Sequence, residues 1–255
     1  MIFGGPYSNL QATQAVLLES VKRVSNPVCT GDLVAYCAWP TETVAAFSSA
    51  NFEVIAGNCE VQLAARANSC GCGFTSDSVC NALSIDWFGF ASSSIKIFER
   101  KWMASLPDVI SFTHSGANYG VIHGGASDVA RFFWSSTATE VLEGDWSALE
   151  AIIGQVDYIL SGHSGIPFIR LLSRGSWINV GVIGMPPNDG FPDMRFILLE
   201  QGDFTFHKPS YDFRAPVVDM QTASLTQGYN KSLVSGYWPS EDILPEELRR
   251  SFDSG

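Results

Sequence analysis

Val28-Cys29-Thr30-Gly31-Asp32 is a short β-branched apolar run that stops at a glycine and a carboxylate. Three other stretches repeat this grammar. Val54-Ile55-Ala56-Gly57-Asn58 ends on an amide, Tyr119-Gly120-Val121-Ile122-His123-Gly124 on an imidazole, and Tyr158-Ile159-Leu160-Ser161-Gly162-His163 on another. Runs of this kind read as buried strands that give way to loops. In open α/β sheets, ligands bind at the carboxyl ends of the strands. Brought together there, Asp32, Asn58, His123 and His163 form a nitrogen and oxygen donor set suited to a transition metal.

The surrounding chain reads as a β-α-rich first half and a β-rich second half. This pattern predicts an α/β four-layer sandwich, with two mixed β-sheets packed face to face and flanked by helices. Residues 1–3 are expected as a strand, and Asn9 as the N-cap of a helix reaching about Val24. Thr41 is expected to cap a second helix. Residues 61–75, small and rich in Cys and Gly, read as an irregular loop. A helical stretch from about Ser78 to Leu106 should break near Gly89. Strands are expected at 109–113, 119–123, 157–160, 168–173, 177–179, 195–200 and 204–207. Gln201-Gly202-Asp203 reads as the hairpin turn between the last two.

Five segments, taken in order, resemble the calcineurin-like metallophosphoesterases. That family reads D-x-H-G-N, G-D, G-N-H-D/E, a lone His before Gly, and G-H-x-H. The matching segments here are Gly5-Pro6-Tyr7-Ser8-Asn9, Gly31-Asp32, Gly57-Asn58-Cys59-Glu60, His123-Gly124 and Gly162-His163-Ser164-Gly165. Gly31-Asp32-Leu33-Val34-Ala35-Tyr36 and Ile178-Asn179-Val180-Gly181-Val182-Ile183-Gly184 resemble the small bacterial phosphodiesterase-like branch. The resemblance covers roughly residues 1–210, which it implies as the core, with 211–255 as a C-terminal extension packed on it. In that family two metals share one bridging Asp. The resemblance keeps all four ligands of one metal, at Asp32, Asn58, His123 and His163. Of the other metal's own ligands it keeps none, because those positions are Gly5, Tyr7 and Gly165.

The resemblance therefore implies a phosphoesterase-like hydrolase with a degenerate, single-metal and weakly active site. One divalent transition metal is expected (manganese, iron, zinc or nickel), or none if the chain is a non-catalytic binder of a small phosphorylated ligand or a protein. Cys59 stands where the family has the His that assists the leaving group, so a catalytic thiol is one reading and a small buried hydrophobe the other. Asn9 and Asn179 are candidates to orient substrate oxygens, with Asn9 also a catalytic candidate. Tyr7 either fills the space of the missing metal or aims its hydroxyl at phosphate. With Ser8 and Asn9 it belongs to a strand-to-helix junction, Gly4–Asn9, whose N–H groups could hold an anion. Cys70, Cys72 and Cys80, with Cys59, could instead make a thiolate zinc site, although a reduced, untethered loop suits the spacing better. His114 and His207 have no matching segment and are assigned to structure or surface.

Composition narrows the partners. The 255 residues carry a net charge of −11, which argues against nucleic acid held by its phosphates and against an anionic membrane surface. The longest apolar runs fall far short of the ~20 residues needed to span a bilayer. The N-terminus lacks a basic segment and a long apolar one, so no signal peptide is expected, and six cysteines then suggest reduced thiols and a cytoplasmic protein. A small phosphorylated substrate or ligand is the expected partner. The sequence leaves the oligomeric state open.

Overall fold

A computed structural model describes residues 1–50 and 52–250, so the last five residues of the extension lie outside it. Two five-stranded mixed sheets are present. The first has the order β10-β9-β1-β2-β3, built from β1 (Ile2–Phe3), β2 (Val28–Cys29), β3 (Glu53–Val54), β9 (Phe196–Glu200) and β10 (Asp203–His207). The second runs β4-β5-β6-β8-β7, from β4 (Ile110–His114), β5 (Ala117–Val121), β6 (Tyr158–Ser161), β7 (Phe168–Leu171) and β8 (Ser176–Asn179). β1, β2 and β3 pair in parallel, as do β5, β6 and β8, while the antiparallel partners lie outside them.

Side chains alternate across each strand, and this two-residue period builds the layers. Ile2, Ile197, Val121, Leu160 and Ile178 meet in one buried cluster between the sheets. Their strand neighbours Phe3, Phe196 and Leu198 face outward from the first sheet, where Val16 of α1 (Leu10–Lys22) and Val44 and Phe47 of α2 (Pro40–Ser49) cover them. Ile159 and Trp177 face outward from the second sheet, against Leu142, Trp146 and Leu149 of α6 (Thr139–Ile153). The result is the expected helix–sheet–sheet–helix sandwich.

Several local expectations need correction. The stretch 61–75 is not all loop, because α3 (Asn58–Ala64) opens at Asn58, with buried Leu63 anchoring it. The long helical stretch breaks at Ile95–Lys96, between α4 (Val79–Ser94) and α5 (Ile97–Met103), and not at Gly89. Burial of Ser84, Trp87, Phe88 and Ala91 on one face carries α4 through that exposed glycine, since packing overrides propensity. Thr41 lies inside α2, which instead begins with Pro40 at its first position and has Trp39 before it. The extension holds α7 (Ala215–Thr222), α8 (Tyr229–Ser235) and a short 3-10 turn at Glu246–Leu248. Its Met220, Leu225, Tyr229 and Leu233 join the same core cluster as Phe3 and Val16. No described helix is long and apolar enough to cross a membrane.

The cysteine loop also differs from its expectation. Cys70 and Cys72 are joined in a disulfide, because Gly71 between them has φ +60° and turns the chain so that their Cα atoms stand 5.3 Å apart. Cys29, Cys37, Cys59 and Cys80 are buried free thiols.

Candidate metal centre

The four strand-end residues converge. Asp32 follows β2, Asn58 follows β3, His123 follows β5 and His163 follows β6, so both sheets deliver their parallel strand ends to one place. All four are at most 9% exposed. His123 Nε2 lies 3.0 Å from Asn58 Oδ1, 3.2 Å from His163 Nδ1 and 3.3 Å from Asp32 Oδ2. Ligand atoms around one first-row ion at ~2.1 Å stand ~3.4 Å apart in a tetrahedral shell.

The backbone fixes which atom of each side chain faces inward. His123 Nδ1–H donates to the Thr30 carbonyl at 2.6 Å, which leaves Nε2 to face the centre. The Asn58 amide donates Nδ2–H to the Cys70 carbonyl at 3.0 Å and to Cys72 Sγ at 3.4 Å, so its Oδ1 must turn toward His123. Asp32 has φ +57° and His163 φ +59°, left-handed conformations that L-residues seldom adopt and that aim both side chains at the site. Asp32 Oδ1 accepts the Cys59 N–H at 3.2 Å, leaving Oδ2 for the centre.

Glu60, which carries no ligand role, holds the site together. The Glu60 carboxylate accepts from the N–H groups of Asp32 at 2.7 Å, Leu33 at 2.8 Å and Gly57 at 2.9 Å. It ties the loop after β2 to the start of α3 and so sets Asp32 beside Asn58. Burial, followed by the charge of Asp32, pushes the Glu60 carboxyl up to about 7. The Gly57–Glu60 spacing is the local pattern of a capping box, whereas the groups Glu60 binds in the Asp32 loop are 27 and 28 residues away and leave no local signal.

Charge in the centre is unbalanced. Burial works to raise the Asp32 carboxyl, but His123 and His163 beside it outweigh this and hold it below the usual range. Burial opposes a proton on His123, yet Asp32 and the Thr30 carbonyl raise its pKa. Burial and the neighbouring His123 push His163 down to about 3, so its ring is neutral and its lone pair is available. Nitrogen and oxygen acceptors thus face one point with no protein donor among them except a proton on His123. A small cation satisfies all four at once, whereas one proton satisfies a single partner, so the donor set fits a metal. Among the described residues, Asp32, His123 and His163 are the one group of His, Cys, Asp or Glu with this geometry.

The thiol alternative does not assemble. Cys70 and Cys72 are tied to each other, and burial raises the Cys80 thiol to about 12. Burial, then Asp32 and Glu60, push Cys59 well above its ordinary value, so it remains a protonated thiol.

Close approach explains the Gly-Asp and Gly-Asn pairs. A Cβ on Gly57 would lie 2.4 Å from Asp32 Oδ1 and 2.6 Å from the Asp32 backbone nitrogen. Gly31, at φ +93°, would place its Cβ 2.5 Å from the Gly57 nitrogen. Gly57→Ala is therefore expected to destabilise the protein by ~1–3 kcal/mol and to weaken metal uptake. Thermal melting with and without metal checks both. A variant that melts like the parent and still gains stability with metal would contradict this packing.

Tyr7 packs over Gly5 and lines the cavity next to Gly165. A Cβ on Gly5 would meet the Tyr7 ring at 2.5 Å and Val182 at 2.6 Å, and one on Gly165 would face Trp238 at 3.6 Å and the Tyr7 hydroxyl at 3.9 Å. Tyr7 packs edge-on against Tyr36, with ring centroids 4.9 Å apart. The Gly4–Asn9 junction does not offer a cradle for anions. The N–H groups of Gly5, Tyr7 and Ser8 donate to the carbonyls of Gly31, Asp32 and Leu33, and that of Asn9 to Pro6. Ser8 Oγ is buried without a partner. Asn9 is fully engaged: it caps α1 through Ala12 N–H and donates to the Gly184 carbonyl and the Tyr211 hydroxyl. Asn179 is equally committed, to the Gly162 carbonyl, Ser164 Oγ and Gly181 N–H.

No protein-family model matches the chain. An uncharacterized protein of Methanocaldococcus jannaschii is 26% identical over 226 residues, 82% of this chain and 86% of the relative. A metallophosphoesterase from Sphaerobacter thermophilus superposes with a TM-score of 0.70 at 20% identity, covering 92% of this chain and 97% of that one. A hypothetical protein from Pyrococcus horikoshii reaches 0.72 at 16% identity, over the same shares. With its two face-to-face mixed sheets and its donor cluster at their parallel strand ends, the chain has the calcineurin-like phosphoesterase fold.

Proposed function

We propose that this chain is a phosphoesterase-like hydrolase working with one divalent metal, held by Asp32, Asn58, His123 and His163. The observation that supports the reading is the convergence of Asn58 Oδ1, His163 Nδ1 and Asp32 Oδ2 within 3.0–3.3 Å of His123 Nε2. Imidazole with carboxylate suits manganese, iron, zinc or nickel. Such an ion, when bound, supplies Lewis-acid charge to a phosphoryl oxygen and activates water. The preferred substrate is a small phosphorylated molecule, and the setting is cytoplasmic.

The chain's own residues supply the rest. Tyr7 makes no hydrogen bond through its hydroxyl among the described residues, and it lines the cavity that also contains Asp32 and His163. Burial, then Asp32, hold its pKa well above the ordinary value, so the hydroxyl keeps its proton and can donate to a phosphoryl oxygen. It stands near Gly165, where the family's other metal loses a ligand. A neutral donor replaces only part of what a second cation contributes, so turnover is weak. Tyr7→Phe keeps the ring and removes the donor. It is expected to lower kcat ~10²-fold, by analogy with removal of one oxyanion donor, with little change in metal affinity. Unchanged kcat would restrict Tyr7 to filling space.

The test is hydrolysis of a chromogenic phosphodiester. Slow turnover that depends on added metal and stops with chelator supports the reading. Turnover indifferent to chelator would place the chemistry elsewhere in the chain. A second reading, a non-catalytic binder of a phosphorylated ligand, draws on the ring of Tyr7 filling the space beside Gly5. Metal uptake and phosphate binding with no turnover would favour it.

A further inference from the structure

We propose that the cavity beside Asp32 and His163 takes the aromatic group of a singly charged phosphodiester. This deepens the hydrolase reading and rests on it. Two sets of aromatic rings line the cavity. Phe74, Phe132 and Trp134 form a stacked series, with centroids 6.1 Å apart at 18° and 5.5 Å apart at 1°. Tyr7, Tyr36 and Tyr229 form the other, with centroids 4.9 and 4.2 Å apart. Both sets line the same cavity. Tyr36, Phe74 and Phe132 are only half-buried. The non-atom space of the cavity, out to its open mouth, is ≈ 680 Å³. A slot walled by rings on both sides suits a flat aromatic group.

Continuity with the metal centre places the two ends of the ligand. Phe132 lies against the His163 ring, with centroids 4.1 Å apart, so a ring in the slot is one step from the phosphoryl position. Charge selects the phosphate. The lining contains Asp32 and no lysine or arginine. A polyphosphate or a dianionic monoester would bring negative charge that no side chain here neutralises, whereas a diester brings one charge to one divalent cation. Ser164, Ser240 and the Tyr7 hydroxyl are neutral polar groups in the same lining.

Manganese-loaded protein titrated calorimetrically with methyl phenyl phosphate and dimethyl phosphate tests this. The two ligands carry the same charge and differ by the ring. Stacking predicts that the phenyl diester binds ~10-fold or more tightly. Phe74→Leu and Trp134→Leu should each shrink that ratio while leaving dimethyl phosphate affinity unchanged, and phenyl phosphate should bind no more tightly than the phenyl diester. Equal binding of the two diesters, a ratio that survives both substitutions, or preference for the monoester overturns the aromatic slot and leaves the hydrolase reading standing. Metal uptake with no binding of either diester overturns both.

Discussion

His123→Ala is expected to abolish any metal-dependent stabilisation and hydrolysis. His123 is the hub of the centre: its Nε2 lies within 3.3 Å of Asp32, Asn58 and His163, and its Nδ1 is locked to the Thr30 carbonyl. Losing a supporting partner of a metal ligand costs ~10–100-fold in affinity, and losing the ligand itself costs more. In the parent, metal at ~100 times its Kd adds ~2.7 kcal/mol, which for a chain of this size raises Tm by roughly 5–10 °C. The variant should show no such rise. Because its metal-free melting is measured in the same experiment, loss of binding is separated from loss of fold. A full metal-induced shift in His123→Ala would remove this residue from the ligand set.

Glu60→Ala has the largest expected effect on stability. The carboxylate is buried and accepts three backbone N–H groups, each at 2.9 Å or less. Truncation leaves all three buried donors without a partner. Stranding even one such group costs ~1–3 kcal/mol, so a total of ~3–5 kcal/mol is expected. That is a large part of the ~5–15 kcal/mol that holds a typical protein folded. Tm should fall by roughly 10 °C or more. Glu60→Gln keeps one acceptor oxygen and the side chain's shape, and should retain part of the loss. Metal affinity should fall in both variants, because the loop carrying Asp32 is no longer tied to Gly57. A mild effect of Glu60→Ala would mean that the loop holds its shape without this clamp.

The four ligand candidates were legible because each ends its own apolar strand, and the strand ends of parallel sheets converge by topology. Asn9 as a helix cap was legible for an equally local reason. Its other two hydrogen bonds, to Gly184 and Tyr211, were not, since those partners stand 175 and 202 residues away. Separations of 27 and 28 residues likewise hide the bonds of Glu60 to the Asp32 loop. The aromatic slot draws Tyr36, Phe74, Phe132 and Tyr229 from four separated stretches, none with a periodic signal. Gly89 does not break α4 because a glycine's local cost is small beside the burial of Trp87 and Phe88 before it and Ala91 after it. The Cys70–Cys72 bond was hidden for a different reason: the left-handed turn at Gly71 that closes it is a property of the backbone, not of residue spacing.

The proposed function requires one metal ion per chain, held by Asp32, Asn58, His123 and His163. Metal content per chain, measured by mass spectrometry after equilibration with manganese or zinc and removal of excess ion, tests it most directly. The account predicts one ion per folded chain in the parent and none in His123→Ala. Two ions per chain, both lost when Asp32 is replaced, would contradict it.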